Sequence, residues 1–220
     1  MFRIVCLVIG YAFGLLQTAF FYGKMHGIDI REHGSGNAGT TNTLRVLGTK
    51  AGLIVFAGDL LKCVCAVLLC GFLFRHIMPE ETYLPVKYLI KLYAGAGAVL
   101  GHNFPFYLNF KGGKGIASTG GMMIAFHPLI IPVGLVTFFG CFLTTHYVSL
   151  GSLMLYTGFL LQMIIMGQLG MFHTTQPILI EMYILTFLLL VMAFVRHKDN
   201  IVRLLNGTER KTYLRKKLDK

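Results

Sequence analysis

Gly115-Ile-Ala-Ser-Thr-Gly-Gly-Met-Met-Ile-Ala-Phe-His-Pro-Leu-Ile-Ile-Pro-Val-Gly134 begins the stretch whose reading decides the fold: from Gly115 to Ile180 there is no Asp, Glu, Lys or Arg. These 66 residues are too many for one or two bilayer passes, because a helical span takes roughly 20 apolar residues. Two features divide them. His127-Pro128 interrupts a helix, since proline disfavours helical backbone in the residue before it. Thr144-Thr-His-Tyr-Val-Ser149 is a polar break. The stretch therefore predicts three helices, at about 116–126, 129–145 and 148–167, the first short for a hydrocarbon layer of about 30 Å.

Outward from this stretch, Ile4 to Tyr22 is 19 residues without a charge. It lacks the short apolar core and cleavage site of a signal peptide and reads as a retained first helix. Spans over about Ala51–Phe74, Tyr88–Phe104 and Met182–Val195 bring the count to seven. The charges test that count. With the N-terminus outside, one side receives Lys24, Arg31, Arg45, Lys50, Lys111, Lys114 and the tail, and the other only Arg3, Arg75, Lys87 and Lys91. That is the positive-inside bias, and fusing two central helices would throw the basic tail outside. The expected fold is an all-α integral membrane protein of seven transmembrane helices, a single membrane domain over 1–220 with a basic tail, 196–220. Its polar loops gather on the cytoplasmic side.

Composition agrees. The chain is 55% hydrophobic and 13% charged, where soluble domains carry about 25% charged residues. Of 20 basic residues, nine lie in the tail from Arg196 to Lys220 and most others flank apolar segments. The net charge of +11 thus reads as topology determinants and lipid-headgroup contacts, not as a nucleic-acid footprint. The five cysteines sit in apolar stretches without metal-site spacing, as small buried side chains do. Neither metal nor cofactor is expected.

Three polar clusters fall on the predicted cytoplasmic face. The first is Gly34-Ser-Gly-Asn-Ala-Gly-Thr-Thr-Asn-Thr-Leu-Arg45. It imitates G-x-G-x-x-G, with Asp59 about 20 residues on, but no strand precedes it and Asp59 lies in an apolar span. What remains is Ser35, Asn42 and other small hydrogen-bonding groups around one cation, Arg45. The second is Lys111-Gly-Gly-Lys-Gly115, preceded by Gly101-His-Asn103. Two lysines framing glycines offer ammonium groups and backbone N–H donors, which a phosphate needs, and a helix N-terminus at Ile116 adds to them. Lys114 is followed by Gly115 instead of Ser or Thr, so this is not a Walker A loop. The third is Arg196-His-Lys-Asp-Asn-Ile-Val-Arg-Leu-Leu-Asn-Gly-Thr-Glu209, where His197 and Asn200 share a face if the last helix continues. Within the spans, Asp59 and Lys62 are three apart and suited to pair. There is no G-x-S-x-G elbow, and no His is followed at the fifth position by Asp.

Assembled, these clusters resemble the bacterial acyl-phosphate:glycerol-3-phosphate acyltransferase family (PlsY). The matching runs are Gly34–Arg45 with Leu47-Gly48, Gly101-His102 through Ala117, Arg196-His197 through Glu209, and Tyr147-Val-Ser-Leu-Gly-Ser152. The resemblance implies a seven-helix enzyme of the bacterial inner membrane with a cytoplasmic active site. It would pass a fatty acyl group from acyl phosphate to the 1-hydroxyl of glycerol 3-phosphate, giving lysophosphatidate and phosphate. By position, Ser35, Arg45, Lys114, Ser152, His197 and Asn200 would hold substrate phosphate, and Gly112, Gly113 and Gly115 would admit it closely. Lys111 and Asn42 join the substrate-binding groups, and Lys114, Ser35 and His197 are the candidate catalytic set. Glu209 would support the fold. Thr40, Cys63 and His146 depart from the usual alanine, glycine and arginine.

Acyl phosphate is already activated, so the chemistry demands no nucleotide, CoA or metal. Lys114, Arg45 and loop N–H groups would stabilise charge on the carbonyl and departing phosphate. Family members are thought to use substrate phosphate for the proton, so the base stays unassigned, with His197 as an exception to consider. The expected partners are the two substrates and membrane lipids, with no nucleic acid and no obligate protein. A rival reading is an organic-phosphate transporter; it needs access from both faces, whereas the outer loops lack matching phosphate-binding groups and no inverted repeat is visible. A noncatalytic lipid-binding scaffold would leave the glycine-rich loops unexplained.

Overall fold

The computed structural model describes residues 1–213, and no strand occurs among them. Ten helices follow in order: α1 (Phe2–Gly14), α2 (Thr18–Met25), α3 (Thr40–Leu47), α4 (Thr49–Ile77), α5 (Glu80–Asn103), α6 (Ile116–Phe126), α7 (Ile130–Thr145), α8 (Val148–Gln168), α9 (Gln176–Arg196) and α10 (Lys198–Leu205). The central uncharged stretch forms the three helices its breaks predict. The last seven residues of the expected basic tail, 214–220, lie outside the described residues.

Among the described residues, four segments are long and apolar enough to cross a membrane: α1 with α2, α4, α8 and α9. Helices α6 and α7 have 11 and 16 residues, about 16 and 24 Å at 1.5 Å per residue. The shortness of α6 has a structural cause. Gly115, with φ +76°, packs against Val99 and Asn103, so α6 starts beside the last turns of α5. It ends beside Lys91 of α5, whose ammonium donates to the Ala125 and Phe126 carbonyls at 2.9 and 3.1 Å. A cation there satisfies the carbonyls that every helix C-terminus leaves open.

Three expectations are corrected. The first helix is not continuous from Ile4 to Tyr22; it breaks at Leu15-Leu16-Gln17. Buried Gln17 donates through Nε2 to the carbonyls of Gly14, Gly101 and His102 at 3.2, 3.3 and 3.0 Å. Lys62 Nζ reaches Gly14 and Leu16 carbonyls at 3.3 and 2.7 Å. Side-chain donors thus replace lost helical bonds, the condition for irregular backbone inside a membrane protein. The first polar cluster, Gly34–Arg45, is not all loop: it runs into α3, whose Thr43 hydroxyl bonds back to the Gly39 carbonyl at 3.0 Å. The condition on which His197 and Asn200 would share a face is not met: the last span ends at Arg196, close to the expected Val195, and His197 separates it from α10.

Helix α5 is central, and it meets α1 through facing glycine pairs, Gly10-Tyr-Ala-Phe-Gly14 and Gly97-Ala-Val-Leu-Gly101. A methyl on Gly14 would come within 2.8 Å of the Gly101 Cα, and one on Gly10 within 2.9 Å of the Ala98 nitrogen. This is G-x-x-x-G packing, in which missing side chains let backbones approach. Large apolar side chains on the outer faces, such as Phe72, Val136 and Leu188, are exposed, the arrangement a lipid-facing surface requires.

Candidate active site

A cleft of about 1050 Å³ opens where the C-terminal end of α5, the N-terminal ends of α6 and α8, and the junction of α9 with α10 meet. All three polar clusters contribute to it. Eight cationic side chains line it against five carboxylates, so its field favours anions. Ser35, Asn42, Arg45, Lys111, Gly112, Lys114, Gly115, Ser152, His197 and Asn200 all lie on its wall. Gly113 does not; it is buried behind the wall, where a Cβ would come within 2.6 Å of the Ala38 carbonyl oxygen and strike the His102 ring.

The lysine–glycine loop is held by its own backbone. The N–H groups of Gly112 and Gly113 donate to the Asn103 and His102 carbonyls, both at 3.2 Å, closing the C-terminal end of α5. Arg196 Nη2 donates to the Gly112 and Gly113 carbonyls at 3.1 and 2.9 Å. The expectation that these two glycines offer bare amides to a phosphate is therefore corrected: their donors are engaged. The first turn of α6 supplies the free ones, because helix N–H groups there have no internal acceptor. Gly115, Ile116 and Ala117 line the cleft.

Lys114 stands over this helix end and donates to Asn200 Oδ1. Burial lowers its ammonium from the ordinary 10.5 to about 8; Glu209 pulls it up, while Arg203 and Arg196 push it further down. Glu209 Oε1 accepts from Asn200 Nδ2 and Ser149 Oγ at 2.6 and 2.9 Å, and Oε2 from Arg203 Nε at 2.7 Å. Burial raises the Glu209 carboxyl, but these donors more than offset it and leave it lowered. The chain from Glu209 through the Asn200 amide turns the amide oxygen toward Lys114.

His197 is buried, and its Nδ1 lies 2.8 Å from the Ala193 carbonyl oxygen. A carbonyl only accepts, so Nδ1 carries the proton. Burial, then Lys114, lowers the imidazole to about 4, so it is neutral near pH 7. Nε2 is left as an acceptor. It suits a hydroxyl or protonated phosphate oxygen, not a fully ionised one, which refines the phosphate-holding role expected for this residue.

The remaining predicted residues divide. The side chain of Asn42 is engaged in shaping its loop: Oδ1 accepts from the Ser35 N–H at 2.8 Å, and Nδ2 donates to the Ile30 and His33 carbonyls at 3.1 and 2.9 Å. The Ser152 hydroxyl donates to Val148 O at 2.7 Å, leaving its oxygen as an acceptor. Arg45 donates to Thr212 Oγ1 at 2.6 Å. Ser35 and Lys111 are exposed at the mouth. Sequence reasoning missed Arg196 as the clamp on the loop carbonyls; its place before His197 had marked it only as a basic flank. Among the described residues there is no cluster of three His, Cys, Asp or Glu that could hold a metal ion.

A lipid-facing helical shell around a recessed, cationic and glycine-rich cleft defines an integral membrane protein with an anion site. The chain belongs to the glycerol-3-phosphate acyltransferase family, whose model matches residues 4–207. It is 36% identical over 209 residues to the glycerol-3-phosphate acyltransferase of Bacillus subtilis (strain 168), covering 93% of this chain and 95% of that one. It is 40% identical over 214 residues to that of Thermosipho melanesiensis, covering 95% and 92%. Its fold is similar to the crystal structure of PlsY (YgiH), an integral membrane glycerol 3-phosphate acyltransferase. The TM-score is 0.79 with the glycerol 3-phosphate form, at 28% identity over 96% of each chain.

Proposed function

We propose that this chain transfers a fatty acyl group from acyl phosphate to the 1-hydroxyl of sn-glycerol 3-phosphate, forming lysophosphatidate and inorganic phosphate. The observation that carries the reading is the convergence of three polar clusters, far apart in sequence, on one cleft around Lys114 and the α6 N-terminus. The PlsY neighbour has a glycerol 3-phosphate form and a lysophosphatidic acid form, and this chain is read as sharing that acceptor and product.

In the reaction, the acceptor hydroxyl oxygen attacks the acyl carbon and a C–O ester bond forms. The acyl carbon–oxygen bond to phosphate breaks, and the departing phosphate takes the hydroxyl proton. Lys114, Lys111, Arg45, Ser35 and the α6 N–H groups hold phosphate oxygens and developing negative charge. Ser152 and the His197 Nε2 orient the acceptor hydroxyl. Gly115 opens the helix end, while Gly112, Gly113 and Asn42 fix the loop backbones. Asn200 steers Lys114.

The chain is read as one membrane domain of the bacterial inner membrane with the cleft on the cytoplasmic side. Seven segments enter the bilayer, α1 and α2 counting as one.

Purified protein supplied with glycerol 3-phosphate and, separately, acyl phosphate, acyl-CoA or acyl-carrier protein tests the donor. Lysophosphatidate is expected from acyl phosphate alone. Equal turnover with a thioester donor, or none with acyl phosphate, would overturn the reading.

A further inference from the structure

Asp59, Lys62 and His102 form a charged cluster that the reading above leaves unused. They are 1%, 5% and 3% exposed. Lys62 Nζ lies 2.9 Å from Asp59 Oδ1 and 2.9 Å from His102 Nδ1. Thr18 donates to Asp59 Oδ1 at 3.1 Å. Asp59 Oδ1 is 3.5 Å from His102 Nδ1, too long to compete with the Lys62 contact.

An ammonium has donors only. Its three N–H groups serve Leu16 O, Asp59 Oδ1 and His102 Nδ1 at 2.7, 2.9 and 2.9 Å, the longer Gly14 contact sharing one of them, so His102 Nδ1 accepts and a neutral imidazole carries its proton on Nε2. Bonding the carbonyls at the α1 break accounts for Lys62, and pairing accounts for Asp59. Neither accounts for the His102 ring. Nε2 has no hydrogen-bond partner among the described residues, although the opposite nitrogen is held by Lys62. Nor is Nε2 one of the sealed, unpartnered polar atoms, so within an otherwise buried residue this donor is open to a ligand from the cleft.

This donor is placed at the cleft. His102 and Asp59 both line it. The ring edge carrying Nε2 abuts Gly113, with Cε1 2.9 Å from where a Cβ of that glycine would lie. The missing side chain leaves the imidazole against the loop that carries Lys114.

We propose that His102 is a further substrate-binding residue, donating Nε2–H to a phosphate oxygen, and that Lys62, backed by Asp59, holds the imidazole in the required tautomer. The proposal rests on the phosphate-binding reading of the cleft. It adds a neutral donor at the buried end, where another full charge would meet Lys62, and it assigns a role to the ion pair.

Nitrogen-15 NMR of histidine-labelled wild-type protein tests the tautomer, the resonance being assigned by elimination through single substitutions of the other seven histidines. A bare Nδ1, a protonated Nε2 and a shift of Nε2 on adding glycerol 3-phosphate or inorganic phosphate are expected. Two substitutions separate folding from binding. His102→Asn keeps an acceptor for Lys62 but lacks the Nε2 donor; its KM should rise about tenfold or more for glycerol 3-phosphate or for acyl phosphate. The substrate whose KM rises is the one held. His102→Gln places an amide nitrogen near the Nε2 position; its KM should stay within about threefold of native while its Tm falls.

A proton on Nδ1, or native KM for both substrates in folded His102→Asn, overturns the proposal. If both variants fail to fold, the wild-type spectrum decides. Loss of the acyltransfer reading is seen separately, as absent turnover in the wild-type enzyme.

Discussion

Raising the pH through 8 should act on the cleft and on the fold in opposite directions. Burial holds the Lys114 ammonium at about 8 instead of 10.5, a difference worth about 3 kcal/mol against its charged form in the empty protein. The folded value lies below the unfolded one. Below pH 8 both states carry the proton and the fold bears the full penalty; between about 8 and 10.5 the folded lysine deprotonates and the penalty fades. The empty protein should therefore gain stability as pH rises from 8 toward 10.5. Activity should do the reverse. Glycerol 3-phosphate is a dianion above pH 7, since a phosphate monoester has its second pKa near 6, so its charge does not change in this window. The cationic fraction of Lys114 does, and kcat/KM should fall about tenfold per pH unit above 8. The assay is the initial rate of lysophosphatidate formation from pH 6.5 to 9.5, paired with Tm of the empty protein. A Lys114→Arg variant, charged throughout, should lose the alkaline fall even if its absolute rate is low. A flat native profile to pH 9.5, or the same fall in Lys114→Arg, would refute the assignment of this lysine.

A methyl at Gly112 would lie 2.7 Å from Pro105 Cδ and would collide with the His102 carbonyl. Gly112→Ala should lose at least about a hundredfold in kcat/KM, the scale set by displacing transition-state donors, with helix content by circular dichroism unchanged. Near-native activity would show the loop to be more pliant than its backbone bonds imply. Because His197 is held at about 4, a folded and active His197→Gln should share the native acidic limb between pH 5.5 and 7, set by substrate phosphate; a limb lost in the variant would assign that proton to His197. Lys91→Met removes the cation bonded to the end of α6 and should lower stability by about 1–3 kcal/mol, read as Tm, with KM for glycerol 3-phosphate unchanged because Lys91 does not line the cleft.

The legible parts of the fold were those set by hydrophobicity and breakers. A charge-free stretch, one proline and one polar hexapeptide were enough to divide α6, α7 and α8. The break at Gln17 was not legible, because an amide within 19 uncharged residues gives no sign that partners on α5 will replace helical bonds. Helix α3 was hidden by a threonine- and asparagine-rich composition that also suits a loop. The paired G-x-x-x-G patterns on α1 and α5 were visible in the residues but went unused as a packing signal. For the site, residue type and the family resemblance singled out Ser35, Asn42, Arg45, Lys111, Lys114, Ser152, His197 and Asn200, all of which line the cleft. They could not tell which donors were already engaged. That distinction depends on tertiary hydrogen bonds, which turn the Gly112 and Gly113 amides inward and make Asn42 a brace.

On the proposed activity, the position of the α6 start bears on how one cleft would serve a water-soluble and a lipid-borne substrate. Gly115 seats the start of α6 against Val99 and Asn103 in the last turn of α5, which puts the α6 N-terminal donors on the cleft wall. Phe56, on the same cleft wall, is 43% exposed on α4, so the wall is continuous with the lipid-facing surface, while exposed Lys111 stands at its polar mouth. An acyl phosphate can keep its chain in lipid and lower its head to the floor, and glycerol 3-phosphate can descend from water to meet it. On the proposed reaction, the short helix matters because its N-terminus opens on the cleft wall beside Lys114, where both substrates would meet.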